Sequence, residues 1–281
     1  MREINVEDIT RTVEKLCMES NYYLPQDVKK ALEDALDKEE SPLAREILGD
    51  ILKNQEIART NDVPICQDTG LAVIFLELGQ EVRLVGGNLN TAIDEGIKRG
   101  YINGYLRKSA VDDPFMVRKN TGDNTPAIIH TKIVPGDKVK LILAPKGGGS
   151  ENMSALGMLK PSDGVAGIKK FVLDTVEKAG SNPCPPIIVG IGIGGTIEKT
   201  TLIAKQSLLR KVGEHNPNPM IARLEEELLE EINKLGIGPQ GFGGRTTALS
   251  VHIDTFPAHI ASMPVAVNIQ CHVARHQEAI I

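Results

Sequence analysis

At Val63 the sequence changes period, and that change restricts the fold more than any other feature of the chain. Before it, apolar residues recur at helical spacing: Ile9, Val13, Leu16 and Cys17 share one face of a helix that Asn5 can cap. "DVKKALEDALDKEES" continues the pattern, and so does "LAREILGDILKNQEIART", whose start is marked by Ser41-Pro42. After Val63 the apolar runs shorten. "LAVIFLELG" and "EVRLVGG" read as strands on either side of a turn at Gly79-Gln80, and "AIIHTKIV" and "KVKLILAPK" as a hairpin-like pair around "PGD". "NLNTAIDEGIKRGYING", "GIKKFVLDTVEKAG", "TIEKTTLIAKQSLLRKV" and "PMIARLEEELLEEINKLG" return to helix, while "PPIIVGIGIGG" is a strand entering a glycine-rich turn. In "PVAVNIQCHVA", Val265, Val267, Ile269, Cys271 and Val273 take one strand face, and Asn268, Gln270 and His272 the other. The pattern predicts an α+β fold, with N-terminal helices packed on a mainly antiparallel or mixed sheet and further helices covering it. The chain carries no internal repeat and no low-complexity linker, and the change at Val63 is not read as a domain boundary. One domain over 1–281 is expected, helical over 1–60 and α+β over 61–281.

Several functional classes are excluded early. A formal net charge of −5 argues against a nucleic-acid surface, and no Trp, 5 Phe and 4 Tyr leave few platforms for stacking bases. The best membrane candidate, Ile187 to Ile193, is glycine-broken and far shorter than the roughly 20 apolar residues a bilayer requires. The N-terminus, "MREINVEDITRTVEKL", is charged and amphipathic, unlike a signal peptide. A cytoplasmic protein is expected.

The motifs narrow the chemistry. Gly190-x-Gly192-x-x-Gly195 matches a dinucleotide fingerprint, but about 20 residues on, where an acidic residue should end a second strand, stands "LLRKVGEHN". Close backbone packing at a tight turn explains those glycines better. "PKGGGSENMSAL" can form a nest of N–H groups for a carboxylate or phosphate, or serve as a plain flexible turn; it lacks Walker A order. Residues 105–126 read as a long polar loop carrying Arg107, Lys108, Arg118 and Lys119. Four of the six histidines, His252, His259, His272 and His276, cluster near Cys271. The four cysteines lie far apart without a CxxC pair, and Cys17 falls on the apolar face of a helix as core packing. Cys66 in "VPICQD" and Cys184 in "NPCPP" sit beside prolines that stiffen the backbone. With Cys271 they offer three thiolates from three segments. Such a set suits an iron–sulfur cluster with one open iron, or a zinc site with three cysteine ligands.

"ICQDTG", "KGGGSENMSALGML", "NPCPPIIVGIGIGGT" and "GFGGRTTALSVHIDTFPAHIASMPVAVNIQCH", which run from about residue 60 to 275, together resemble the iron–sulfur (class I) fumarate hydratases and L-tartrate dehydratases, in their α-subunit or N-terminal half. The resemblance implies a [4Fe–4S] cluster on Cys66, Cys184 and Cys271, its fourth iron left open as a Lewis acid. It makes Asp68 and His259 the catalytic residues, His259 as a hydrogen-bonding or proton-transfer partner of Asp68, and places Gln67, Asp68, Arg107, Gly147, Gly148 and Gly149 around the substrate carboxylates and the cluster. The implied activity is reversible hydration of fumarate to L-malate, with L-tartrate dehydration as the alternative. The implied assembly is a hetero-oligomer with an α–α contact. In that family further catalytic residues belong to a C-terminal domain or β-subunit, so a separate β-subunit is expected to complete the site. From a different class, a non-catalytic three-cysteine zinc or redox-sensing protein would use the same thiols.

Overall fold

The computed structural model describes residues 1–281. In chain order its first elements are β1 (Arg2–Asn5), α1 (Val6–Tyr22), α2 (Gln26–Lys38), α3 (Pro42–Asn61), β2 (Leu71–Gly79), β3 (Val82–Val85), α4 (Leu89–Asn103), β4 (Ile128–Val134) and β5 (Val139–Lys146). There follow α5 (Gly148–Glu151), β6 (Ala155–Leu159), α6 (Gly164–Ala179), β7 (Ile187–Gly194), α7 (Ile197–Ser207), α8 (Pro219–Lys234), β8 (Ala248–Phe256), β9 (Met263–Gln270) and β10 (Gln277–Ile280). Helices and mixed sheets make the expected α+β fold. Contacts gather the chain into two compact units: Met1–Leu24, Asn54–Gly148 and Arg275–Ile281 form one, and Pro25–Lys53 with Gly149–Ala274 the other. Neither is continuous in sequence, so no change of composition along the chain announces them. No helix is long and apolar enough to cross a membrane.

In the first unit Asn5 caps α1, its side-chain oxygen accepting the Glu7 N–H at 2.9 Å. The face of α1 carrying Ile9, Val13, Leu16 and Cys17 is buried. It meets α4 where that helix has no side chains: a Cβ on Gly100 would stand 2.5 Å from Cys17 Cβ, and one on Gly96 2.6 Å from Thr10 O. The sheet beside them runs in the order β10-β5-β2-β4, with β2 antiparallel to β5 and parallel to β4. Here the hairpin-like pairing expected from the sequence gives way. β4 and β5 flank β2 instead of forming a hairpin, and β3, beyond the turn at Gly79-Gln80, pairs in parallel with β1. The cause is burial: Ala72 to Leu76 are apolar on both faces and closed to water, which suits a strand with a partner on each side. The more polar β4, with Ile133 exposed, takes the edge.

In the second unit the order is β6-β9-β7-β8, with β7 parallel to β8 and antiparallel to β9. Helix α7 lies on β7 so closely that a Cβ on Gly192 would fall 2.1 Å from Thr200 O, and one on Gly190 2.3 Å from Ala204 O. That contact accounts for the glycine spacing, as close backbone packing predicts. Ile168 and Val172 of α6 and Leu228 and Ile232 of α8 build the core with β7, β8 and β9. β9 is buried on both faces and ends at Gln270, so Cys271 and His272 lie beyond the strand rather than continuing its alternation. One charged network is enclosed here. Glu225 accepts from Arg210 Nη1 at 2.5 Å and from the Ile253 and Asn216 N–H groups, while Arg210 Nη2 reaches Asp254. Pairing on both sides is what makes a buried carboxylate tolerable.

Candidate functional site

In the first unit the site grows from the loop joining α3 to β2. Ile65 pins it: its N–H donates to Asn21 O and its carbonyl accepts from Asn54 Nδ2, both at 2.9 Å. Cys66 follows, partly exposed, with Sγ accepting the Asp68 N–H at 3.4 Å and lying 3.3 Å from Gln67 Oε1. The Asp68 carboxylate is held at both oxygens. Oδ1 accepts the Gly70 N–H at 3.0 Å, and Oδ2 accepts the Gly148 N–H at 2.8 Å. The glycine loop therefore does supply an N–H to a carboxylate, and in this structure that carboxylate is Asp68. A Cβ on Gly147 would stand 3.0 Å from Asp68 Oδ2, so a side chain there would crowd the contact. Gly70 (φ +71) has no room either, since a Cβ would fall 2.7 Å from the Lys146 backbone.

The loop is tied to the long segment after α4. Thr69 Oγ1 donates to Arg107 O at 2.9 Å, which sets the exposed Arg107 beside it. The buried Tyr101 hydroxyl lies 2.8 Å from Thr69 O and 3.0 Å from Gly70 O; burial pushes its pKa up and keeps it a neutral donor. Asn124 donates to Gly70 O at 3.1 Å and accepts the Ser109 and Ala110 N–H groups. Cys66, Gln67, Asp68, Arg107, Gly147 and Gly148 are thus gathered around one loop.

The second unit carries Cys184, Cys271, His259 and Gly149. Cys184 is exposed and adopts φ 56, a left-handed conformation uncommon for a side chain with a Cβ. Prolines on both sides and a turn bond from its N–H to Ser181 O hold it there. Its carbonyl accepts the His272 N–H at 3.4 Å and lies 2.9 Å from His272 Nδ1, which brings the Cys184 turn against the residue that follows Cys271. Gln240 Nε2 adds a donor to Pro185 O at 2.8 Å. His259 is exposed on the loop after β8 of this unit, with Nδ1 accepting the Ala261 N–H at 3.2 Å. It borders an open groove of about 470 Å³ together with Met158, Gly195, Lys199 and Phe256.

No group of three His, Cys, Asp or Glu residues converges tightly enough to hold a single metal ion. A four-iron cluster takes each thiolate on a different iron, so its ligands stand apart from one another. The three cysteines fit that group in kind: all are thiols reachable from solvent, and two are fixed by neighbouring prolines. Cys17 does not fit, being fully enclosed, and burial drives its pKa far up so that it stays a thiol.

Sequence reasoning missed Arg275, which is buried and donates through Nη2 to Asp68 O at 2.5 Å. Only an arginine in the otherwise weakly charged "CHVARHQ" hinted at it.

Comparison with known proteins places these residues in a family. The model of the fumarate hydratase (Fumerase) family matches residues 10–280. A protein of Methanocaldococcus jannaschii named "Putative L(+)-tartrate dehydratase subunit alpha" is 46% identical over 278 residues, covering 95% of each chain. The L(+)-tartrate dehydratase subunit alpha of Escherichia coli O157:H7 is 33% identical over 254 residues, covering 90% of this chain and 84% of its own. That of Shigella sonnei is 32% identical over the same length. The chain belongs to the fumarate hydratase family and is a hydro-lyase chain.

Proposed function

We propose that the chain is the α-subunit of a cytoplasmic hydro-lyase that removes water from L(+)-tartrate, giving an enol that tautomerises to the oxo-dicarboxylate, and that a separate β-subunit completes its site. The supporting observation is that relatives aligned over nearly their whole length are named L(+)-tartrate dehydratase subunit alpha. This reverses the sequence-based preference for fumarate. Hydration of fumarate to L-malate stands as the second reading, favoured by the description of the matching family. The two reactions share their chemistry, because each moves one hydroxyl and one carbon-bound proton on a four-carbon dicarboxylate.

In this reading Cys66, Cys184 and Cys271 hold a [4Fe–4S] cluster, which when bound supplies a Lewis acid for the departing hydroxyl. Arg107 and Gln67, both exposed beside the Asp68 loop, bind substrate carboxylate; the guanidinium suits it in charge and in its paired N–H geometry. Gly147, Gly148 and Gly149 let the chain approach substrate closely. Asp68 acts in proton transfer from an orientation set by its bonds to Gly70 and Gly148. His259 is the second proton carrier, its imidazole exposed on the loop after β8. The assembly includes an α–α contact as well as the β-subunit.

The test is anaerobic co-purification with the β-subunit, then parallel assays of tartrate dehydration and fumarate hydration, with the chain alone as control. Tartrate turnover that needs both subunits is the expected result. Fumarate hydration without tartrate turnover selects the second reading. Full activity from the chain alone removes the β-subunit from the scheme, and a colourless zinc-loaded protein returns the non-catalytic alternative.

A further inference from the structure

Phe115, Met116 and Val117 are 75–80% exposed, three apolar side chains in a row at the tip of the segment after α4. Single exposed apolar residues are ordinary, but a contiguous group held out in water marks an interaction site. This group is held out by the backbone beneath it. Asp113 accepts the Phe115, Met116 and Val117 N–H groups at 2.5–3.1 Å, and those bonds, Val117 first, keep its pKa below the ordinary carboxylate value. Arg118 turns the chain back with φ 54 and donates through Nη1 to Pro114 O. Below the tip the two arms pair. Asp112 N–H donates to Lys119 O at 2.8 Å, Thr121 N–H to Ala110 O at 3.1 Å, and Asn120 Nδ2 to Lys108 O at 2.9 Å. Asn124 ties Ser109 and Ala110 at the base to Gly70 O, and Arg107 O accepts from Thr69. The tip is therefore a braced projection, and its foot at Asp113 stands within about 20 Å of Arg107, the reach of the intervening chain.

We propose that this tip is the docking element for the β-subunit, seating Phe115, Met116 and Val117 in an apolar pocket with an acidic rim. The inference rests on the function proposed above, which supplies the partner, and adds the surface that receives it. Position favours that occupant. The projection rises from Arg107, beside the Asp68 loop, so a chain that completes this site meets the tip as it closes. Composition agrees, because Phe, Met, Tyr and Arg are enriched at interfaces, and the exposed Tyr105 stands at the start of the same segment. Charge selects the rim. Arg107, Arg118 and Lys119 are exposed and Lys108 partly so, while Asp113 is turned to the backbone and leaves Asp112 as the exposed carboxylate of residues 105–120. A second copy of the chain fits less well, since a two-fold contact through the tip would set these cations against their own kind.

The experiment mixes the full chain with separately purified β-subunit under anaerobic conditions and reads their affinity by calorimetry and sedimentation. One variant combines Phe115→Ser, Met116→Ser and Val117→Ser, and a second combines Lys108→Glu and Lys119→Glu. The control is Met220→Ser, which removes an apolar side chain 82% exposed on the second unit. The tip variant is expected to bind the β-subunit on the order of 10–100-fold more weakly, the cost of truncating interface anchors. The charge variant should weaken too, more at low salt than at high, and the control should bind as wild type. Activity titrated with β-subunit gives a second reading: the tip variant should need more of it yet reach the wild-type plateau. Wild-type affinity in either the tip or the charge variant overturns the proposal, as does an equal loss in Met220→Ser. A lowered plateau gives the tip a part in the chemistry and overturns it as well. Weakened self-association with intact β-subunit binding assigns the tip to the α–α contact. Cosedimentation with phosphatidylglycerol vesicles that the tip variant loses assigns it to a lipid surface, and either result overturns the docking role. A wild type that binds no β-subunit defeats the functional reading itself, a separate outcome.

Discussion

Asp68 is held by backbone N–H groups at both carboxylate oxygens, Gly70 on one and Gly148 on the other. Asp68→Asn keeps the shape but turns one acceptor into an NH₂ that must face an N–H. In the proposed role, kcat should fall on the order of 10²–10⁴-fold with a smaller change in KM, read by steady-state kinetics of the assembled enzyme. An unchanged kcat would remove Asp68 from proton transfer. The cysteines divide by accessibility in the same way: Cys66→Ser, Cys184→Ser and Cys271→Ser should each lose iron, whereas Cys17→Ser, in a sealed core, should keep it. Equal loss in the Cys17 variant would overturn the ligand set. His252 gives a prediction about pH. It is enclosed with Ser207 O and Ser250 Oγ as neighbours, and burial first, then the charge of Arg210, pushes its pKa down to about 4. The unfolded chain therefore binds this proton more readily. Stability from the neutral ring is complete above the ordinary histidine value, near 6.5, and is lost as pH falls from there towards 4. Between pH 7 and pH 5 that amounts to about 2 kcal/mol, which His252→Gln should remove from the pH dependence of the urea midpoint. At this scale the sequence is a good guide to contacts between residues written contiguously, as in "ICQDTG", where Asp68 bonds Cys66 and Gly70. It is a poor one for Arg275 or the Arg210–Glu225 pair, whose roles exist only through partners far along the chain.

Among the elements, glycines separate close packing from slack. Gly100 lies where α4 meets α1, and a Cβ would stand 2.5 Å from Cys17 Cβ and 2.9 Å from Glu14 O. Gly100→Ala must push two packed helices apart, at a cost of about 1–3 kcal/mol. Gly49, inside α3, has nothing within 4 Å of its missing Cβ. Gly49→Ala should instead gain about 0.5–1 kcal/mol, since alanine is the better helix former. Thermal melts of the two variants should move in opposite directions, and a shared direction would contradict this packing. The start of the first helix was legible because caps are local: Asn5 accepts an N–H two residues on. Strand partners were not. Adjacent strands in sequence suggest hairpins, but β2 is apolar on both faces and takes the centre, so β4 and β5 are sent to opposite sides of it.

For the molecule as a whole, the last residues matter through what they pair with rather than through any chemistry of their own. The two units are each assembled from separated segments, a fact of long-range pairing that composition along the chain cannot reveal. β10 illustrates it. Residues Gln277–Ile280 pair antiparallel with β5, and Ile281 exchanges both backbone hydrogen bonds with Val139 at 2.8 and 3.1 Å. Ala279 and Ile281 also pack against the core of the first unit. Two residues before this strand stands Arg275, so the strand anchors the segment that carries the guanidinium to Asp68. Deleting residues 277–281 should leave one edge of β5 unpaired and release that anchor. Hydrogen exchange should then speed up at β5 amides and in the Cys66–Gly70 loop, while amides of β7 in the second unit keep their protection. Iron retention should fall as well, although no deleted residue is a proposed ligand. Faster exchange at β5 with undiminished iron would mean that Arg275 holds its place without the strand, and that loop order and cluster retention are set independently of the sheet edge.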